Sequence, residues 1–202
     1  MEMKRREFFA IVYQKIQTKK LRIAIEFAYN LAKEAHRRQR RENGERYFSH
    51  VKAVALIVLT ELNTTIMTEL ELTILVVGAL LHDLIEDTFV AREAHLHFIF
   101  DQVSPEITEI ISTVTKGEGS NKHLKLLTSH NRKTKKLKGC DRLHNQRTLD
   151  NCKPDKIRRK NQETREVILP WLKFRTRDAN LLWLIDQIED QTARNEAMLD
   201  GQ

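Results

Sequence analysis

"VVGALLHDLIEDT", Val76 to Thr88, poses the problem around which the rest of the chain must fold. Its apolar run suits the middle of a helical core. Yet His82, Asp83, Glu86 and Asp87 interrupt it, beside Leu80, Leu81, Leu84 and Ile85. Taking such groups out of water is costly unless they are paired or bound to a cation. On an uninterrupted helix, residues four apart share a face, about 6 Å apart along the axis. His82 then stacks under Glu86, and Asp83 under Asp87. A divalent cation would neutralise the clustered carboxylates and give the imidazole a partner. The other reading leaves the helix end in solvent, and this stretch alone does not choose between them.

The whole chain sets the bounds. Its 202 residues fit one good-sized domain, with 41% apolar and 31% charged residues. Only 3 Pro and 6 Gly argue against a sandwich of many short strands. No run is long enough to cross a bilayer, and "MEMKRREFFA" does not read as a secretory signal. Cys140 and Cys152 are too few for a disulfide framework and lack metal-site spacing, so reduced thiols and a cytoplasmic location are expected. The net charge of +7 favours anionic partners. Basic residues gather in "HRRQRRENGER", "NRKTKKLKG" and "KIRRKNQETR", and none of these is interleaved with aromatics as a single-strand nucleic-acid platform requires. A small polyanion is therefore at least as good a partner as nucleic acid, and a membrane partner is not expected.

Apolar residues recur at three- and four-residue intervals, which predicts an all-α single domain. Helices are expected over about Leu21–Arg38, with Phe27, Leu31 and Ala35 along one stripe, and from His50 through Val51, Val54, Ile57 and Val58. A central helix, apolar almost all round, should run from Thr68 to Glu86. Another should follow Thr88 as its cap, and Ser104-Pro105-Glu106 opens the next. The remainder reads as Lys122–Asn151 with a break near Gly139, Asp155–Phe174, and Asp178 to the C-terminus. "KGEGSN", Lys116 to Asn121, is the most loop-like segment.

A cation needs more ligands than His82 and Asp83. His50 opens an apolar helix, and Asp141 opens "DRLHNQRTL", with Asn145 and Thr148 at helical spacing from it. The order His, His-Asp, Asp on successive helices resembles the HD superfamily of metal-dependent phosphohydrolases. "AHRRQRRENGERYFSH" further resembles the A-H-x-x-Q-x-R-x-x-G-E-x-Y-x-x-H pattern of RelA/SpoT-type hydrolase domains. "ALLHDLIEDT" is similar to their H-D-x-x-E-D-T, and "DRLHNQRTL" to their D-[RK]-L-x-N-x-R-T-L. "TVTK" at Thr113–Lys116 and "QETREVILP" at Gln162–Pro170 keep the same order. The likeness covers about Leu21 to Trp171, and the blocks together are highly specific.

The resemblance implies an HD helical bundle that removes the 3′-pyrophosphate of ppGpp and pppGpp, leaving GDP or GTP. Three parts are expected: the hydrolase domain at 21–175 and, outside the resemblance, an N-terminal helical extension at 1–20 and a C-terminal helix at 176–202 packing on the same domain. Because the chain ends before any synthetase domain, it looks like a stand-alone small alarmone hydrolase of the metazoan SpoT-homologue kind. His50, His82, Asp83 and Asp141 match the metal ligands, and one Mn²⁺ per chain is implied. Glu86 and Asp87 match the acidic pair that orients and deprotonates the attacking water. Asn145 matches a residue near the ribose and 3′-phosphate, with Thr148 beside it. Arg41 matches the arginine that stacks on guanine. Asn43, Tyr47, Lys116, Lys138 and Arg159 fall at places typical of substrate contacts, although Lys116 and Lys138 can equally be structural or solvated and Tyr47 can equally pack against the metal-site helix.

Two departures stand out. Glu42-Asn43 replaces a basic-polar pair, which leaves the nucleotide preference open, and NADPH 2′-phosphatase activity is the competing enzyme reading. Gly139-Cys140 replaces apolar residues before Asp141, and glycine costs roughly 1 kcal/mol inside a helix, so a looser approach to Asp141 is expected. A non-catalytic binder of alarmone or nucleic acid is the remote alternative. Whether several copies assemble is not legible.

Overall fold

The structure is a computed structural model describing residues 3–42, 44–87, 93–115, 123–150 and 152–200; the side chains of Glu86, Asp87, Glu93, Ala94, Phe98 and Asp200 also lie outside that description. Twelve α-helices are described: α1 Arg5–Lys15, α2 Lys19–Ala35, α3 Tyr47–Leu56, α4 Glu69–Leu81, α5 Leu84–Asp87, α6 Glu93–Phe100, α7 Pro105–Val114, α8 Leu124–Thr128, α9 Arg132–Arg147, α10 Pro154–Glu163, α11 Leu169–Lys173 and α12 Ala179–Asp200. Wider π turns extend α3 over Ile57–Glu61 and join α10 to α11 over Thr164–Ile168. Among the described residues there is no β-strand, only an isolated antiparallel bridge between Arg40 and Arg46. The all-α expectation holds.

Helix α4 is the axle of the bundle. Thr68 caps it by accepting from the Glu71 amide, and every residue from Leu72 to Leu81 is buried. It packs against α2, α3, α7 and α9. Gly78 makes two of those approaches close, since a Cβ there would lie 2.8 Å from Ile110 Cδ1 of α7 and 3.1 Å from Leu137 Cδ2 of α9. Helix α9 crosses the same core and packs along α12, the longest helix. Lys136, almost fully buried, bridges Asp178 Oδ2 at 2.9 Å and Glu71 Oε1 at 3.1 Å, tying α9 to the head of α12 and to α4. Asp178 also accepts from the Asn180 and Leu181 amides, starting α12 where the sequence predicts. One apolar cluster draws on helices from α1, through Phe8, Phe9 and Val12, to α12, through Leu181, Leu184 and Ile188.

Four expectations are corrected. The central helix does not run to Glu86: α4 ends at Leu81, the chain turns at His82–Asp83, and α5 begins at Leu84. The stacking of His82 under Glu86 assumed an unbroken helix, and that assumption fails. The segment expected as Lys122–Asn151 is instead α8 and α9, because Asn131 accepts from the Lys133 and Thr134 amides and starts a new helix. Helix α9 passes through Gly139 unbroken; a Cβ there would meet Leu184 Cδ1 at 3.0 Å, so this glycine lets α12 lie close and does not loosen Asp141. On α2 the buried face is Leu21, Ala24, Ile25, Ala28, Tyr29 and Ala32, one position away from the stripe expected. Phe27 is exposed and sits edge-on to Phe100, with ring centroids 6.0 Å apart. The Thr88 cap and the whole "KGEGSN" segment lie outside the described residues.

Gly78→Val should test the close approach in α4. The added bulk meets fully buried Ile110 and Leu137 with no room to withdraw. The overpacking penalty, about 1–3 kcal/mol, exceeds the gain in helix propensity of under about 1 kcal/mol. A lower urea midpoint at unchanged slope is the expected result.

Candidate metal centre and substrate cavity

Three helical segments deliver four side chains to one point. His50 lies in the first turn of α3, His82 and Asp83 form the break between α4 and α5, and Asp141 lies mid-way along α9. His50 Nε2 is 3.4 Å from Asp141 Oδ1 and 3.7 Å from Asp83 Oδ2. His82 Nε2 is 3.1 Å from Asp83 Oδ2 and 3.5 Å from Asp141 Oδ1. Ligand atoms of His50, His82 and Asp83 all fall within 4.8 Å of one another. His82 keeps a helical backbone, with φ −59° and ψ −30°, at the end of α4, and both it and Asp83 reach the common centre from this break.

Each of the four is held from outside. His82 Nδ1 lies 2.9 Å from the Ala79 carbonyl, which can only accept, so Nδ1 carries the hydrogen. His50 Nδ1 lies 2.8 Å from His144 Nδ1. The Tyr47 hydroxyl donates to Asp83 Oδ2 at 2.6 Å, and the Tyr47 ring stacks on His36 at 4.8 Å. Asp141 Oδ2 accepts from Lys138 Nζ at 2.8 Å, and its Oδ1 accepts from Asn145 Nδ2 at 2.6 Å.

Burial opposes charge on every member, and the neighbours decide which groups stay charged. On His82 the Asp83 and Asp141 carboxylates outweigh burial and push the pKa up to about 10. On His50 burial prevails over Asp141, and the pKa falls. Burial would raise Asp83, but His82 holds it well below the usual carboxylate range. Asp141 is likewise held far down against burial, first by Lys138 and then by the two imidazoles. His144 is lowered to about 3 by burial and by its cationic neighbours, so it is a neutral imidazole.

The buried Nε2 of His82 makes no well-formed hydrogen bond, although two carboxylates stand beside it. A buried imidazole nitrogen beside carboxylate oxygens at 3.1–3.5 Å, with no well-formed hydrogen bond to them, fits a place where a divalent ion replaces a proton. The residues present therefore form a suitable His/Asp site for one.

Beside this centre opens a cavity of about 390 Å³, within the range of small-molecule sites. His50, Asp83 and Asp141 form part of its wall. The three basic stretches of the sequence converge here: Arg40 and Arg41 come from the first, Lys138 from the second, and Lys156, Arg159 and Lys160 from the third. With Arg142 these make seven cations against the carboxylates Glu42, Asp83 and Asp141 among the described lining residues, so the cavity favours an anion.

Arg41 is presented by a tight loop closed by the Arg40–Arg46 bridge and by Gly44, whose φ of 84° suits glycine. Its guanidinium donates to Asn145 Oδ1 at 2.6 Å and Thr148 Oγ1 at 3.1 Å, joining the loop to the end of α9. Glu42, the departure noted in the sequence, pairs with Lys156 Nζ at 2.8 Å at the rim. Deeper in, the π turn brings Thr164 to Arg142 Nη1 at 3.3 Å and Gln146 Nε2 at 2.6 Å, fixing two lining residues of α9.

His50, His82, Asp83 and Asp141 thus come together, with Tyr47, Lys138, Asn145, Thr148, Arg41 and Arg159 around them. Glu86 and Asp87 sit on α5, just past Asp83, with their side chains outside the description; Asn43 and Lys116 lie outside the described residues. Sequence reasoning missed His144, His36, Arg142 and Gln146. His144 and Gln146 occupy unspecified places in the D-[RK]-L-x-N-x-R pattern, and only their three- and five-residue spacing from Asp141 on one helix hinted at their proximity.

A family model described as "HD domain" matches residues 28–177. A probable GTP pyrophosphokinase of Mycobacterium leprae is 34% identical over 175 residues, covering 81% of this chain and 20% of the relative. The bifunctional (p)ppGpp synthase/hydrolase SpoT of Escherichia coli is 35% identical over 153 residues, covering 71% of this chain and again 20% of the relative. The chain thus spans about a fifth of the length of these curated relatives. A solved structure described as a metazoan ortholog of SpoT that hydrolyzes ppGpp superposes with a TM-score of 0.66 at 24% identity, covering 83% of this chain and 94% of that one. The matched span carries α3, α4, α5 and α9, the helices that build the centre, and the chain belongs to the HD domain family.

Proposed function

We propose that this chain is a metal-dependent hydrolase of guanosine 3′,5′-bis(diphosphate) and its pentaphosphate counterpart, releasing pyrophosphate from the 3′ position. The observation that carries this reading is the buried His50–His82–Asp83–Asp141 cluster in the wall of a cavity with an excess of cations. Relatives bear the names of synthases as well as hydrolases, and a His/Asp cluster supports the hydrolytic one. His50, His82, Asp83 and Asp141 would hold one ion; two nitrogens and two carboxylate oxygens suit a borderline metal, and Mn²⁺ is our choice. Such an ion supplies Lewis-acid chemistry, drawing charge from a phosphoryl oxygen and making water a stronger acid.

The chain's own residues do the rest. Lys138, Arg142, Lys156, Arg159 and Lys160 bind phosphate oxygens and offset their charge. Arg41, tethered to Asn145 and Thr148, faces the nucleoside end, where its planar guanidinium stacks on a base. Asn145 and Thr148 meet the ribose and the 3′-phosphate. Glu86 and Asp87 follow the ligand pair by three and four residues; one of these carboxylates takes the proton of the attacking water. The water oxygen bonds to phosphorus as the bond to the ribose 3′-oxygen breaks, and that oxygen leaves with a proton as the hydroxyl of GDP or GTP.

Glu86→Gln and Asp87→Asn should each retain metal binding by calorimetry while pyrophosphate release falls by about 10²–10⁴-fold, the usual contribution of a general base. Full turnover in either variant refutes that residue's role. Chelation should abolish release from the wild-type chain, and Mn²⁺ should restore it. Glu42 occupies Lys156 and removes one free cation at the rim, which favours a less highly charged nucleotide. Products from ppGpp, pppGpp and NADPH, measured side by side, decide the substrate: pyrophosphate from the first two supports the proposal, and orthophosphate from NADPH alone overturns it.

A further inference from the structure

We propose that His144 is a positioning residue, whose Nδ1 accepts the Nδ1–H of His50 and so fixes the tautomer that turns the Nε2 lone pair of His50 toward a cation. This inference rests on the reading of His50 as a metal ligand. The two Nδ1 atoms are 2.8 Å apart, with ring centroids at 4.8 Å and planes tilted by 53°. Two imidazole nitrogens at that distance need one hydrogen between them, and a neutral imidazole has one to give. His50 Nε2 faces the centre, toward Asp141 Oδ1 and Asp83 Oδ2. For that nitrogen to ligate, the hydrogen of His50 must sit on Nδ1; His144 must then accept at Nδ1 and keep its own hydrogen on Nε2. Metal-bound imidazoles commonly have their second nitrogen fixed in this way.

The two centre-facing histidines differ in what stands behind them. His82 is backed by the Ala79 carbonyl, which can only accept. His50 is backed by a side chain that can accept or donate, so its tautomer depends on that of His144. Geometry also separates His144 from substrate. It borders a neighbouring hollow with Arg46, Ser49, Lys52 and Leu56, and does not line the cavity that holds Arg41, Lys138 and Arg159. Asp141, His144 and Asn145 lie within about one turn of α9, so that turn supplies one side chain to the centre and outer partners for two.

Leu and Asn have nearly the same shape, but only Asn places an acceptor where His144 Nδ1 lies. In the full chain, His144→Leu should weaken Mn²⁺ affinity by about 10–100-fold by calorimetry, while His144→Asn stays within about threefold of wild type. Metal-free melting temperatures of the two variants should agree. Wild-type affinity in His144→Leu, or an equal loss in His144→Asn, overturns the inference. His50→Ala is the control: if it binds Mn²⁺ like wild type, the ligand reading itself fails, and this inference falls with it. Without any variant, imidazole nitrogen NMR of the wild-type chain with diamagnetic Zn²⁺ should find His50 protonated at Nδ1 and His144 at Nε2. A hydrogen on His144 Nδ1 contradicts the proposal.

Discussion

Two carboxylates and two imidazoles share one buried centre, and much of the surrounding structure serves to keep them there. Asp83 and Asp141 remain ionised although burial opposes it, because Tyr47, Lys138 and Asn145 donate to their oxygens and His82 carries a proton beside them. Local charge without an ion is thus close to balanced: two negative carboxylates face Lys138 and protonated His82. Replacing that proton by a divalent ion leaves the centre with net positive charge. Such a centre is suited to an anion, and cations in the adjoining cavity extend the same preference.

That arrangement demands precise placement of three helices, and the means are mostly steric. Gly78 lets α4 approach α7 and α9, and Gly139 lets α12 lie against α9 two residues before Asp141. Lys136 locks α9 to α4 and to the head of α12 through two acidic partners, so the helix carrying Asp141 is fixed against the one leading to His82. A buried lysine with one partner removed would be expensive, which makes this register hard to shift. The site is therefore built on packed helices, with one loop, that of Arg41, bordering the cavity.

Legibility in the sequence followed physical locality. Helix starts marked by side-chain caps, at Thr68, Asn131 and Asp178, are local events; two of them were placed correctly from the sequence. Asn131 was passed over because the apolar period continued across it. The turn at His82–Asp83 was invisible for a similar reason: nothing in "ALLHDLIED" breaks a helix by propensity, and no glycine or proline marks it. The reason for Gly139 was likewise out of reach, since it depends on Leu184, forty-five residues later. The centre was legible because its residues fall in dense motifs, whereas His144 acts through a contact with His50 that no spacing rule distinguishes from an ordinary helix position.

The basic stretches carry a further lesson about charge. Read along the chain, three runs of Lys and Arg are consistent with solvated surfaces or with a nucleic-acid footprint. Folded, they contribute to one concave wall of about 390 Å³. A duplex-binding surface needs cations spread along a face to follow phosphates spaced by several ångströms, and a single-strand platform needs exposed aromatics for stacking. Here the cations converge, two of them, Lys138 and Arg142, are more than nine-tenths buried, and the aromatic ring in the wall, Tyr47, is committed to Asp83. Convergent, partly desolvated cations bind a compact cluster of phosphates more strongly than an extended row, because each charge acts at short range through a medium of low polarity. The same reasoning makes Glu42 the informative exception: exposed at the rim and paired with Lys156, it trims the positive field where a nucleotide would enter and leaves the depth of the cavity unchanged.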